Sequence, residues 1–261
     1  MKKWLNILSW VLLSGGFLIM WSFTMAKQGE MTCNQLFVKV HIHQGMTFIS
    51  KEDVEVRLRA ARLDPTGIKF SSIDLGAVED NVREMKEVKK VKAFKTIDGN
   101  VHIDVTQRKP LIRIMNANGS QFYLDEGGFQ MPVSTAYTAR VPVVTGFLHE
   151  PPGDISAIEI GKSEVLKDQL LSDDIFRMVN YIQKSEFWNA QIQEIYVNRH
   201  KEFEFVPTMG DHRILFGSID NMEGKFAKLL VFYEDGLRNM NWNRFSTINV
   251  KFKNQIVCTK K

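Results

Sequence analysis

The feature that most constrains this chain is an uncharged stretch of 23 residues that starts at Trp4 and ends at Ala26. As a helix rising about 1.5 Å per residue, this stretch reaches roughly 34 Å, and the hydrocarbon core of a bilayer is ~30 Å thick. Backbone groups in lipid must be satisfied within the segment, which favours a helix. We therefore predict that residues 4–26 form a single transmembrane helix and that the lipid bilayer holds the rest of the chain through it.

Charge next to this stretch indicates its orientation. Lys2 and Lys3 lie on the short N-terminal side, which favours a cytoplasmic tail of residues 1–3 and places residues 27–261 outside the cytoplasm. A cleaved signal peptide is the alternative, but it has an apolar core of about 7–15 residues and a small-x-small cleavage site. Thr24-Met25-Ala26 fits such a site poorly, so we expect a permanent anchor.

Composition restricts the class of the remaining chain. Hydrophobic residues make up 44% and charged residues 25% of the sequence, as in folded globular domains. The formal net charge of +4 is spread along the chain without a basic stripe, which excludes a nucleic-acid-binding protein. Cys33 and Cys258 are the two cysteines, and the sequence leaves open whether they pair, with two free thiols the simpler state.

The first part of the extracytoplasmic chain predicts a small α/β module. Residues 36–43 have the β-branched and aromatic character of a strand, and Ser50 begins a helix as its N-cap. A second helix is predicted over residues 75–85. Alternating apolar residues on both sides of Asp98-Gly99 then predict a hairpin. The order β-α-α-β-β, over residues 36–108, is that of a POTRA module.

The second part has a different pattern, with short strands and two longer helices. Apolar spacing predicts one continuous helix over residues 162–187 and another over residues 222–239. Short strands are predicted at residues 112–115, 121–124, 141–144, 192–198, 202–206, 213–216, 247–252 and 255–260. The predicted fold class is therefore α+β, with one transmembrane helix, the POTRA-like module and a mixed β domain with flanking helices.

A search for chemistry yields no catalytic, cofactor or metal motif. Gly161-Lys162-Ser163 lacks the first glycine of a phosphate loop, because the required position is Ser156. His41 and His43 share one face of a predicted strand, but a third ligand is missing. The acidic residues Asp125, Glu126, Asp173 and Asp174 are explained by turns and helix ends. We expect a protein of the interaction class and not an enzyme.

One stretch carries a family resemblance. It contains Arg108-Lys109-Pro110, Arg113, Phe122-Tyr123-Leu124-Asp125, Gly128, Pro132 and the segment 141–146. It resembles the join between the POTRA and β domains of the FtsQ/DivIB family of bacterial cell-division proteins. Pro110 ends a strand here because it cannot donate to a continuing ladder. The order of parts fits: a tail at 1–3, a membrane helix at 4–26, a linker at 27–35, a POTRA-like domain at 36–108 and a β domain at 109–261.

The resemblance implies a bitopic scaffold of the divisome, with no catalysis and no cofactor. It implies a single-pass type II protein of the inner membrane, located at the division septum with its C-terminal part in the periplasm. Its implied partners are FtsB-like and FtsL-like proteins, and its implied role couples septal peptidoglycan synthesis to division. In relatives the FtsB partner adds a strand to the C-terminal edge of the β domain. The matching residues here are Lys251, Lys253, Gln255, Ile256, Val257, Cys258, Thr259 and Lys260.

Two other classes of protein remain as alternatives. A membrane-anchored cell-wall hydrolase fits the same location. A POTRA-bearing transport component requires many alternating strands of about 10 residues, which are absent in the required number after residue 110.

Overall fold

The computed structural model describes residue 10 and residues 12–20, 31–43, 45–153, 155–236 and 242–261. A boundary between Gln107 and Arg108 divides the chain into two compact units. Each unit has its own hydrophobic core.

Most of the predicted transmembrane segment lies outside the described residues. Its described part, residues 12–20, is helical. The large apolar side chains there are 60–75% exposed, from Phe17 at the lower limit to Met20 at the upper. Within the described ranges, no helix is both long enough and apolar enough to cross a membrane. The transmembrane helix at residues 4–26 therefore stays a prediction.

The first unit is a three-stranded sheet with two helices on one face. Its elements are β1 (Gln35–His41), α1 (Lys51–Ala60), α2 (Leu75–Arg83), β2 (Val88–Lys95) and β3 (Asn100–Gln107). The strand order is β1-β3-β2, with β1 parallel and β2 antiparallel to β3. This confirms the predicted β-α-α-β-β order. Val54 and Leu58 of α1 belong to the same buried core as Val101, Ile103 and Val105 of β3.

Local sequence signals determine the ends of these elements. Ser50 accepts a hydrogen bond from the backbone N–H of Asp53, whose side chain accepts one back from Ser50, so α1 begins with a capping box. The β2–β3 turn contains Gly99 with φ +86°, as the Asp98-Gly99 pair predicts. A Cβ at Gly99 would lie 2.7 Å from Nδ2 at the tip of the exposed Asn34 side chain, which can move aside, so the backbone conformation is what favours glycine there.

The second unit contains one nine-stranded mixed sheet. In spatial order its strands are β12-β11-β10-β9-β8-β7-β4-β5-β6. The strands are β4 (Pro110–Met115), β5 (Gln121–Asp125), β6 (Gln130–Pro132), β7 (Val143–Gly146), β8 (Ile192–Val197), β9 (Phe203–Pro207), β10 (Arg213–Gly217), β11 (Phe245–Asn249) and β12 (Val257–Lys260). The pairs β4–β7, β7–β8 and β10–β11 are parallel, and the others are antiparallel.

The prediction of one continuous helix over residues 162–187 is wrong, because several shorter helices occupy this region. They are α3 (Ala157–Lys162), α4 (Glu164–Gln169), α5 (Ser172–Gln183), α6 (Glu186–Gln191) and α7 (Met222–Val231). Ser163 and Ser185 act as N-caps, and each begins a new helix inside the predicted one. A π-helical turn, Phe232–Gly236, follows α7, and the end of the predicted helix at residues 222–239 lies outside the described residues.

Aromatic packing joins these helices to the sheet. The ring of Phe226 on α7 is fully buried, with centroids 4.8 Å from Tyr181, 5.3 Å from Trp188 and 4.9 Å from Phe216. Such ring pairs stabilise a core beyond the apolar area that they bury. They fix α5, α6 and α7 against β10, the strand beside which β11 and β12 complete the sheet.

Candidate protein interface at the edge of the large sheet

Strand β12 forms one edge of the nine-stranded sheet, and β6 forms the other. Its inner side pairs antiparallel with β11 through Thr259 opposite Thr247, Cys258 opposite Ile248 and Val257 opposite Asn249. An edge strand presents backbone N–H and C=O groups on its outer side that can pair with another strand. The fold thus provides a backbone template at the end where a partner strand was predicted.

Both final strands differ slightly in extent from the prediction. The ladder ends at Asn249, whose side-chain oxygen accepts a hydrogen bond of 3.0 Å from the backbone N–H of Lys251. Of the predicted strand 255–260, residues Gln255 and Ile256 precede β12. The side-chain alternation is nevertheless present. Ile256 and Cys258 pack against the core, while Val257 is 41% exposed.

The backbone of β12 alternates in direction as well. The N–H of Lys261 donates to the carbonyl of Arg244 at 3.2 Å, and the carbonyl of Thr259 accepts from Ser246 Oγ at 3.2 Å. Both residues therefore direct their backbone groups inward. In an antiparallel ladder neighbouring residues face opposite sides, so the amide of Lys260 points to the open side. By the same alternation the amide of Val257 points inward, toward β11.

Lys228 on α7 holds the turn that leads into β12. Its Nζ donates to the carbonyls of Val250 at 3.0 Å and Gln255 at 3.4 Å, and to that of Phe252. Burial lowers the pKa of Lys228. The bonds span 22 to 27 positions along the chain, so no local sequence signal indicates them. Lys228 therefore positions the edge strand, although nothing in its sequence surroundings predicts this role.

The predicted lysines differ in how free their charges are. Lys251 Nζ lies 3.2 Å from both carboxylate oxygens of Glu202. Although burial acts to raise the pKa of Glu202, hydrogen bonds from Asn198 and Lys251 hold it below its ordinary value. Lys253 and Lys260 are exposed and make no ion pair with any described residue. Of the three predicted lysines, Lys253 and Lys260 therefore carry the charges that no described carboxylate neutralises.

Comparison with known proteins identifies the family of the chain that carries this edge. A family model described as FtsQ/DivIB, C-terminal related, matches residues 109–259, from the start of the large sheet into β12. The chain belongs to the FtsQ/DivIB family. A POTRA-like domain model matches residues 31–106. The chain is also similar to the cell division protein FtsQ of Rhodothermus marinus, with 25% identity over 205 residues, covering 76% of this chain and 70% of that protein.

Membership of the FtsQ/DivIB family supports a role as a cell-division scaffold. The candidate residues for other chemistry are consistent with structural roles. Lys162 lies at the end of α3 and Ser163 is the N-cap of α4. Over the described ranges, no group of three or more His, Cys, Asp or Glu residues is arranged to hold a metal ion. Cys33 and Cys258 are free thiols in different units, and burial raises the pKa of each.

For this FtsQ/DivIB protein we predict that Lys228→Met loosens the β12 edge. The apolar side chain leaves the turn carbonyls without their shared donor, which is expected to cost about 1 kcal/mol of unfolding free energy. Amide hydrogen exchange of residues 256–260 is expected to accelerate. Lys253→Met, on the exposed side of the same turn, is the control and is expected to change neither quantity. Unchanged exchange in Lys228→Met contradicts the assigned role.

Proposed function

We propose that this protein is a membrane-anchored, non-enzymatic divisome scaffold that receives an FtsB-like partner as an added strand on β12. Together with an FtsL-like protein, this contact couples septal peptidoglycan synthesis to cell division. The observation that carries the proposal is the open edge of β12, which lies at the end of the family-matched region. Backbone pairing supplies affinity in this mode of recognition, and alternate side chains supply selectivity.

The side chains near the edge favour an acidic, partly apolar segment as the added strand. Val257 offers an exposed apolar surface, and Lys253 and Lys260 offer unpaired positive charge within the described part of the chain. Charge complementarity of this kind raises association rates and fixes register more than it raises affinity. Lys251 contributes less because Glu202 already neutralises it.

The proposal includes the topology. Residues 4–26 cross the inner membrane once and residues 27–261 lie in the periplasm, with residues 27–35 as linker, residues 36–108 as the POTRA-like domain and residues 109–261 as the β domain. The uncharged stretch and the exposed apolar helix at residues 12–20 support the anchor. The two lysines before it support the orientation.

Lys260→Pro tests strand addition directly. Proline removes the outward backbone donor of Lys260 but leaves the inward bond of Lys261 to Arg244 intact. We expect about tenfold or greater loss of affinity for the periplasmic part of the FtsB-like partner, equivalent to roughly 1.4 kcal/mol. Binding is measured by calorimetry with the full-length chain in detergent. Val257→Pro is a poorer test because that amide bonds within the sheet.

The matched control is Lys260→Ala, which removes the charge and keeps the backbone donor. Its affinity is expected to fall only about two- to threefold, because exposed charges contribute little. Circular dichroism and thermal unfolding verify that both variants fold. Equal affinities for Lys260→Pro and Lys260→Ala overturn strand addition at β12.

A further inference from the structure

The small sheet carries an ordered set of side chains on the face opposite α1 and α2. Val101, Ile103 and Val105 of β3 point into the core, so the residues that alternate with them lie on the other face. The register across the three strands arranges these residues in rows. The rows are Phe37, His102 and Phe94; Lys39, Asp104 and Lys92; and His41, Thr106 and Lys90.

The first row is a stack of three rings. The imidazole of His102 lies between Phe37, with centroids 5.0 Å apart, and Phe94, with centroids 5.3 Å apart. The stack holds Phe37 at the edge of the sheet, where this side chain is 44% exposed. Apolar rings beside basic residues are typical of surfaces that lie in the interfacial region of a bilayer.

The other two rows carry net positive charge. Lys39, Lys90 and Lys92 form no ion pair with any residue that the structure describes. Asp104, the one acidic residue in these rows, lies 3.9 Å from His41. Basic residues on the helices of the same unit are paired instead, as Arg57 is with Glu84 at 2.6 Å.

The proposed anchor keeps this face close to a bilayer. Eight residues, 27 to 34, separate the end of the proposed membrane helix from β1. Even fully extended, they span only about 30 Å. Tethering at this distance gives a high effective concentration, so that a few weak contacts suffice for docking. Each basic residue near an anionic surface adds to the attraction.

We propose that this sheet face docks on the anionic phospholipid headgroups of the membrane that holds the anchor. Lys39, Lys90 and Lys92 contact the phosphates, and Phe37 inserts at the boundary between headgroups and acyl chains. This inference rests on the proposed membrane anchor. The short tether favours lipid over an acidic protein segment, because the bilayer is within reach at all times.

The test uses the full-length chain in lipid nanodiscs. Photoreactive p-benzoylphenylalanine replaces Phe37, and in a second variant it replaces Val56, which is 60% exposed on α1 beyond the opposite face. Nanodiscs contain phosphatidylcholine alone or an equal mixture with phosphatidylglycerol. Intact mass spectrometry after irradiation counts lipid adducts. We expect at least about threefold more adduct at position 37 in the anionic nanodiscs than in neutral ones, and little at position 56.

Adding Lys39→Gln, Lys90→Gln and Lys92→Gln to the position 37 variant is expected to abolish the difference between the two lipids. The docking proposal is overturned if labelling at position 37 does not depend on lipid charge. It is also overturned if labelling at position 37 equals labelling at position 56. Labelling of a copurifying protein with no lipid adduct overturns it in favour of a protein partner. If the chain does not enter nanodiscs at all, the anchor is wrong and the docking proposal fails with it.

Discussion

Replacing Gly146 with alanine is expected to destabilise the second unit by about 4 kcal/mol or more. Gly146 has φ +105°, a conformation that side chains rarely adopt. A Cβ there would lie 2.2 Å from the carbonyl oxygen of Val197. Gly146 pairs with Val197 where β7 meets β8 inside the nine-stranded sheet. Inside the sheet the backbone has no room to move away from this contact. The free energy of unfolding is measured with urea.

Gly119→Ala is the matched control for this substitution. Gly119 also has a positive φ, of +85°, but no atom lies within 4 Å of the position that a Cβ would take. Only the cost of the positive φ applies here, so we expect the free energy of unfolding to fall by about 1 kcal/mol. A loss of similar size in both variants contradicts the assigned contact between β7 and β8.

Glu150→Ala is expected to destabilise the same unit by about 3 kcal/mol. The side chain of Glu150 is buried and accepts hydrogen bonds from the backbone N–H groups of Leu171 at 2.7 Å and Ser172 at 3.1 Å, and from Ser172 Oγ. It therefore caps α5 from a distant segment, in place of a local N-cap. Alanine leaves these buried donors unpaired at the start of the helix.

Glu150→Gln separates the shape of this side chain from its charge. The amide keeps one oxygen acceptor, so about half of the loss is expected. The backbone of Glu150 is also bound to Asn116, through bonds of 2.7 and 2.8 Å, and both variants retain these bonds. Chemical unfolding with circular dichroism at 222 nm provides the measurement. A Glu150→Ala variant as stable as the parent overturns the capping role.

The elements that the sequence predicted well are those with local causes. The capping box at Ser50 and the turn at Asp98-Gly99 each depend on residues within a few positions. Side-chain alternation along β3 depends only on its own sequence, as the buried and half-buried residues there show. The β-α-α-β-β order of the first unit follows from such signals.

The helix breaks at Ser163 and Ser185 come from local N-caps, but the other missed features depend on residues that are distant along the chain. No pattern within residues 162–187 shows that Glu150 starts a new helix at Ser172, 22 positions away. Lys251 likewise pairs with Glu202, 49 positions away, and this pairing neutralises a lysine that the sequence alone predicted to attract a partner. The order of strands in the sheet is non-local too, so the edge position of β12 came from the family resemblance and not from periodicity.

The position of β12 also has a consequence for the order in which the sheet folds. Every strand of the sheet precedes β12 in the chain, and β11 is its sole neighbour in the sheet. Until β12 pairs with it, β11 is the open edge of the sheet, and any extended segment with a matching pattern competes for it. Under the proposed strand addition, a partner strand that arrives before β12 is in place occupies its site on β11, while one that arrives later is added beside β12. Correct assembly therefore requires the protein to close its own edge before it meets its partner.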